Sequence, residues 1–447
     1  MNREVVVTAL GTAGAHGCGR ASLERALAAG APPPAIEVDR GAGYHRPGGA
    51  RRALLTPVAA LAPWLPAAEA RRMGPPSRLA VAAARMALAD AGLDPALLAG
   101  PGTAVVLSTA FGPCSFSEAL LRQVLRDGPE AASPYLFTES VANAPAAQIA
   151  IACGARGANV TLCQREAGPL LAVARGAAEV AAGSAERALV GAVDEMSPLL
   201  HALLDRFGAL ARGRSRPARG TRRGHAPEGP GGCGEIGRPF DRRRDGVVAA
   251  DGATVLLLES AAAAARAGRV PLARIGGWGS AFDPSAPPTG WGGGGELLGR
   301  ALRRLLVRRG AAPEIDQPGG SSLLGPLGAG HGAVGAIDRI VSGASGSRAG
   351  DRLEARVLRA AWGAAPLPPV LAPKGVTGEY GGGFLAAAVL AAAVAGVAAA
   401  PTAGFGEPDP DVGMSPHDGS PLPPPRVLLA SSLAAGGAAA WVILARP

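Results

Sequence analysis

A strand that runs straight into a long helix, with a charged residue at the bend, is the feature that most restricts how this chain can fold. Residues 157–183 read GANVTLCQREAGPLLAVARGAAEVAAG. Val160, Thr161 and Leu162 are β-formers, whereas 167–182 is rich in Ala and Leu, which favour helix. The pattern predicts a buried strand, a sharp turn at Glu166 and a small-residue helix. Such a turn aims its residue at the helix N-terminus, where backbone N–H groups lack internal partners and carry positive partial charge. Enzymes use elbows of this kind to present a nucleophile, but this one presents a carboxylate. Cys163, three residues earlier, falls in the strand and reads as a small buried hydrophobe.

At 447 residues the chain exceeds the size at which a single core stops growing, so two subdomains or one large layered α/β unit are expected. The formal charge of +9 arises almost wholly from Arg in a chain with 66 Gly and 41 Pro. It reads as compositional bias rather than a nucleic-acid footprint. The five cysteines, at 18, 114, 153, 163 and 233, form no C-x-x-C pair and no ligand spacing with the six histidines. Neither disulfides nor zinc are expected. The opening residues run into VVVTAL with no signal-peptide pattern. The longest apolar run, Phe384 to Ala400, is alanine-rich and shorter than the ~20 residues of a typical membrane span. A buried helix, a cytoplasmic location and no membrane partner are expected.

Periodicity predicts strands at 4–10, 103–108, 187–193, 269–281 and 337–342. Helices are expected at 21–29, at 77–91 with Ser77 as N-cap, at 115–126 and at 295–309. Residues 31–66 lack periodicity and read as a surface connection. The Gly-, Pro- and Arg-rich stretches near 210–232 and 313–334 read as insertions, and His225 and His331 within them as residues without chemistry.

Several segments carry a resemblance. The spacing of Gly157, Glu166 and Gly183, the approach from Ser133 through Asn143, and RPFDRRRDGVVAADGATVLLLE at 238–259 resemble the β-ketoacyl-acyl-carrier-protein synthases, the condensing enzymes of fatty-acid and polyketide assembly. Asp241, Arg244, Asp245, Gly246, Asp251 and Gly252 fall on that family's motif. The resemblance implies an α/β, thiolase-like layered αβαβα fold built from two related halves, 1–260 and 261–447. Active members use a cysteine and two histidines. On this alignment Glu166 stands at the cysteine, Gly343 at the first histidine and Glu379 at the second. Ser345 and Ser347 stand where pantetheine-binding threonines are expected, with Asp351 and Glu354 in register behind them. Leu433 and Ala435 replace the gating aromatics in Ser431-Ser432-Leu433-Ala434-Ala435-Gly436-Gly437. Lys374, at the motif lysine, is the only lysine in the chain. Ammonium and guanidinium differ in reach and geometry, so its retention points to a specific buried ion pair.

Without the thiol and imidazoles, the resemblance implies a non-condensing subunit of the chain-length-factor type. Such a subunit pairs with an active ketosynthase and shapes the acyl cavity in type II polyketide, polyene or fatty-acid-like synthesis. Chain length factors commonly carry Gln where this chain has Glu166. The implied partners are that ketosynthase and an acidic acyl carrier protein, steered by the basic rim. No cofactor is implied beyond the carrier's phosphopantetheine arm. Two alternatives remain open: an autonomous acyl-carrier-dependent decarboxylase, dehydratase or acyltransferase using Glu166 and Glu379, and a non-catalytic carrier-binding homodimer. Glu166 itself is expected to need a partner such as Arg165, Lys374 or a residue of a second chain.

Overall fold

The computed structural model describes residues 3–41, 44, 47–213, 234–309 and 336–447. Among the described residues the main sheet has eleven strands, ten of them on one path: β1 Val5–Gly14, β2 Thr103–Ser108, β3 Asn159–Leu162, β4 Arg187–Asp194, β5 Gly252–Ser260, β6 Ala273–Phe282, β7 Arg339–Ser342, β8 Val370–Leu371, β9 Val427–Leu433 and β10 Ala438–Ala445. Their order is β8-β7-β9-β10-β6-β1-β5-β4-β2-β3, with the short strand Gly17–Cys18 off this path against β1. The two ends repeat one pattern. β1 is antiparallel to β5 and β5 to β4, and β4, β2 and β3 are then parallel. In the same way β6 is antiparallel to β10 and β10 to β9, followed by parallel β9, β7 and β8. The two five-stranded units meet through Val6 opposite Arg274 and Val7 opposite Ala273.

Helices complete the layers: α1 Pro75–Asp90, α2 Cys114–Asp127, α3 Pro134–Ser140, α4 Ala144–Cys153, α5 Gly168–Ala182, α6 Pro198–Arg206, α7 Gly295–Arg308, α8 Arg348–Trp362 and α9 Gly381–Ala393. α5 and α9 form the central layer. Their side chains join Val5, Val190, Leu256, Val341 and Leu428 in one core between the two five-stranded units. α1 and α4 cover the outer face of the first unit, and α7 and α8 that of the second. This is the thiolase-like αβαβα arrangement.

Small residues set how closely the layers approach. A Cβ on Gly11 of β1 would lie 2.0 Å from the Ala83 carbonyl oxygen and 2.3 Å from the Ala87 nitrogen, so the α1 backbone rests directly on the strand. α9 is buried along nearly its whole length. The apolar run expected to be a core helix is therefore the middle of the molecule, and no helix among the described residues is long and apolar enough to cross a membrane.

Three expectations are corrected. Ser77 does not cap α1: Gly74 precedes the helix, and Pro75 and Pro76, which need no N–H partner, open it. Ser77 is buried and donates to Glu139 Oε2 at 2.7 Å. Residues 31–66 are not merely a surface connection, because Ile36–Glu37 and Arg52–Leu54 form a small sheet with Ala249–Ala250. Buried Arg40 organises that region, reaching His201 Nδ1 at 2.8 Å and Asp205 Oδ2 at 3.3 Å. Cys163 is exposed rather than buried, because β3 is the edge strand and pairs only with β2 among the described residues. The two expected insertions, with His225 and His331, fall almost wholly outside the described residues; Leu210 and Ala211 at the start of the first are buried.

α4, which packs against β3, exposes Ile151 at 73 %, and α2 exposes Leu125 at 85 %. Within the fold itself, Gly11→Ala is expected to lower stability by about 3 kcal/mol, since helix backbone cannot yield as a side chain can. Urea denaturation of the variant and the parent measures this.

Candidate functional site

The carboxyl ends of the parallel strands in both units converge on one place, as ligand sites in open α/β sheets generally do. The elbow after β3 carries Glu166, and the turn after β7 carries Gly343 to Ser347. The turn after β8 carries Lys374 to Glu379, and the bend after β9 carries Ala435. Between them lies a cavity of about 580 Å³, lined by Glu166, Ser345, Ser347, Glu379 and Ala435 and, on its apolar wall, by Leu200, Leu204 and Phe207. Lys374 lies behind this lining, buried.

Arg165 at the elbow has φ 46°, a left-handed conformation that costs about 1–3 kcal/mol in a non-glycine residue. The second unit holds it in place. Ser432 Oγ, on β9, donates to the Glu166 carbonyl at 2.6 Å. The Ala435 N–H donates to Glu166 Oε2 at 3.2 Å. The side chain of Arg165 turns away to lie over the Phe111 ring, 5.8 Å from its centroid. Neither Arg165 nor Lys374 is thus the hydrogen-bond partner of the Glu166 carboxylate, whose Oε2 accepts from the Ala435 N–H. Burial first, and then the negative charge of Glu379, push this carboxyl up to about 7 against the pull of Lys374 and Arg165.

Lys374 Nζ reaches Glu379 Oε1 at 2.5 Å, with the lysine side chain fully buried and its ammonium 5.6 Å from the centre of the Phe384 ring. The lone lysine does hold a buried ion pair. Asp194, at the end of β4, is engaged on both oxygens, accepting from the Ala110 N–H at 2.6 Å, Thr109 Oγ1 at 3.2 Å and the Gly381 N–H at 3.1 Å. It pins the start of α9, where a Cβ on Gly381 would lie 2.6 Å from Pro169 Cγ at the start of α5. Burial raises Asp194 to about 6 and Glu354 to about 7.

Ser347 caps α8 by accepting from the Gly350 N–H at 3.2 Å. The Ser345 N–H donates to Asp351, which also accepts from the Phe240 N–H at 2.8 Å. Residues 238–245 thereby support the turn that lines the cavity. A Cβ on Gly343 would stand 2.8 Å from Ser432 Oγ, so a larger residue there would displace the hydroxyl that secures the elbow. Leu433 is buried beside a small recess with Gly343, whereas Ala435 faces the main cavity and contributes its N–H to Glu166. The sequence reading missed two features, the apolar wall from α6 and the part played by Ser432. The run PLLHALLDRF carries a signal for the first, since Leu203 and Phe207, four residues apart on one helix face, are exposed at 41 % and 76 %.

The model "Beta-ketoacyl synthase, N-terminal domain" matches residues 2–264, more than half of the chain. The chain belongs to the beta-ketoacyl synthase family. It is 29 % identical over 338 residues, 75 % of its length, to the tetracenomycin polyketide synthase ketoacyl synthase beta subunit of Streptomyces glaucescens, of which 72 % is covered. It is 30 % identical over 295 residues to the 3-oxoacyl-[acyl-carrier-protein] synthase 2 of Rhizobium meliloti, with 64 % of each chain covered. Among solved structures it superimposes on the ishigamide ketosynthase/chain length factor with a TM-score of 0.79 at 27 % identity, covering both chains completely. Its similarity therefore extends to chain-length-factor-type members of the family.

The raised carboxyls have a consequence for stability. Glu166, Asp194, Asp351 and Glu354 all bind protons more tightly in the fold than in the unfolded chain. Their stabilisation is complete below the ordinary carboxyl range and is lost as pH rises through about 6 to 7. The Tm is expected to be higher at pH 6 than at pH 8. Glu166→Gln should raise the Tm at pH 8 and flatten part of that slope, as measured by calorimetry.

Proposed function

We propose that this chain is a non-condensing subunit of the chain-length-factor type, which pairs with an active ketosynthase and shapes the cavity in which an acyl chain grows. The observation that carries this is the elbow: it lines a formed cavity, but it presents Glu166, at the position the resemblance gives to the nucleophile, with its carboxylate bound to the Ala435 N–H. Acyl transfer needs an activated nucleophile, and condensation needs donors to an enolate. Glycine at 343 has no side chain to offer, and Glu379 is committed to Lys374. The likeness to a beta subunit and to a ketosynthase/chain length factor supports the same reading.

The exposed β3 edge and the apolar side chains beside it supply the surface for the ketosynthase. The carrier's phosphopantetheine arm would enter past Ser345 and Ser347, bringing an acyl chain toward the apolar α6 wall. One feature favours a second reading, an autonomous enzyme: burial and Glu379 push the Glu166 carboxyl up to about 7 beside the Lys374–Glu379 pair, a range that suits a general acid.

Co-expression with an active ketosynthase subunit, followed by sizing and an elongation assay with a malonyl-carrier substrate, separates the two. A heterodimer is expected, with Glu166→Ala and Glu166→Gln retaining elongation within about threefold. Ile151→Asp is expected to abolish heterodimer formation by placing an unpaired charge in the apolar contact. Turnover of an acyl-carrier substrate by this chain alone, lost in Glu166→Gln, would instead establish the enzyme.

A further inference from the structure

The positive charge of the chain is unevenly placed. In three other helices an arginine faces an acid one turn away, as Arg20–Glu24, Arg122–Glu118 and Arg175–Glu179. α7 and α8, the outer helices of the second unit, do the opposite. Arg300 stands one turn before Arg304 on α7, and Arg352 one turn before Arg356 on α8, like-charge pairs that destabilise a helix. The two acids of α8, Asp351 and Glu354, are buried, which leaves Glu296 as the one acid on the outer faces of these helices among the described residues. Glycines press the two helices together: a Cβ on Gly299 would lie 2.4 Å from Ala360 Cβ, and one on Gly295 2.8 Å from Arg356 Cβ. Arg356 therefore stands at the seam beside the first turn of α7, and Arg300, Arg303 and Arg304 follow within about 14 Å along that helix. Arg300 and Arg356 are exposed, Arg303 and Arg304 half-buried. Arg352 and Arg359 are held by Asp411 and by the Gly413 carbonyl, whereas no ion pair among the described residues engages Arg300, Arg303, Arg304 or Arg356. Leu297 and Val307, spaced three residues from Arg300 and Arg304, are exposed on the same face of α7.

We infer that this face rests on an anionic lipid bilayer, with the guanidinium groups of Arg300, Arg303, Arg304 and Arg356 on lipid phosphates and Leu297 and Val307 at the acyl boundary. Guanidinium matches phosphate in a two-pronged contact, and a cluster of such groups beside apolar side chains is the composition of a helix that lies on a membrane surface. An acidic protein surface would satisfy the arginines and set the two interspersed apolar side chains against acids; a bilayer surface takes both. No helix among the described residues is long and apolar enough to cross a membrane, so the contact is peripheral. The expectation of no membrane partner comes from the lack of a spanning segment and does not bear on such a contact. The face belongs to the second five-stranded unit, whereas the β3 edge ends the first, so a ketosynthase on that edge leaves it open.

The test is sedimentation of the full chain with vesicles of equal parts phosphatidylglycerol and phosphatidylcholine, or of phosphatidylcholine alone. One variant combines Arg300→Gln, Arg303→Gln, Arg304→Gln and Arg356→Gln. A second combines Arg25→Gln, Arg266→Gln, Arg426→Gln and Arg446→Gln, which are exposed and scattered and remove the same charge. The parent chain should bind the anionic vesicles and not the neutral ones, and the bound fraction should fall steeply between about 0.05 M and about 0.5 M sodium chloride as screening shortens the reach of the charges. The first variant should bind roughly tenfold more weakly or worse, and the second within about threefold of the parent. A third variant with Arg300→Lys, Arg303→Lys, Arg304→Lys and Arg356→Lys keeps the charge and should bind within about threefold of the parent, which separates lost docking from lost folding. A first variant that sediments like the parent, an equal loss in the second or third, or equal binding to neutral vesicles would each overturn the inference. So would release of the chain from anionic vesicles by a stoichiometric amount of acyl carrier protein, which would assign the face to an acidic protein.

Discussion

The hydrogen bond from Ser432 Oγ to the Glu166 carbonyl is the contact on which the rest of the site depends. It crosses from the second five-stranded unit to the first, at the point where a strained Arg165 turns β3 into α5. Left-handed backbone at a non-glycine residue persists only when its surroundings hold it there. Here β9 supplies the hold twice, through Ser432 to the carbonyl and through Ala435 to the carboxylate. Gly343 belongs to the same arrangement, since a side chain there would displace the Ser432 hydroxyl. The elbow, the missing side chain at 343 and the closing strand are thus one mechanical unit.

Around that unit the fold buries an unusual number of acids, each with a different means of support. Asp351 joins the turn at Ser345 to residues 238–245, Asp194 joins β4 to α9, and Lys374 neutralises Glu379. A buried charge without such support is costly. The supports explain how the architecture tolerates these acids in its interior.

The elements of the fold were legible wherever periodicity was strong. β2, β3, β4, α5 and the buried run that became α9 lie where hydrophobic spacing places them. The pairing of two five-stranded units was legible only through family resemblance, because the two halves share strand order and not residues. Local reading failed where a distant residue decides the outcome. Ser77 is drawn inward by Glu139, Arg40 is buried by His201 and Asp205, and Cys163 is left exposed because β3 pairs only with β2 among the described residues. Motif positions named Glu166, Ser345, Ser347, Glu379 and Ala435, which the fold gathers around one cavity, but they did not give the partners of these residues. Arg165 and Lys374 are close to Glu166 in the chain or in the motif, yet one lies over an aromatic ring and the other pairs with Glu379.

The central proposal is that Glu166, at the turn from β3 into α5, does not act as a nucleophile. Intact-protein and peptide mass spectrometry of the ketosynthase complex, after exposure to an acyl-carrier donor, tests it most directly. The acyl group should appear on the partner's cysteine, with the peptide spanning residues 157–183 of this chain unchanged in mass. An acyl adduct mapped to Glu166 would contradict the account.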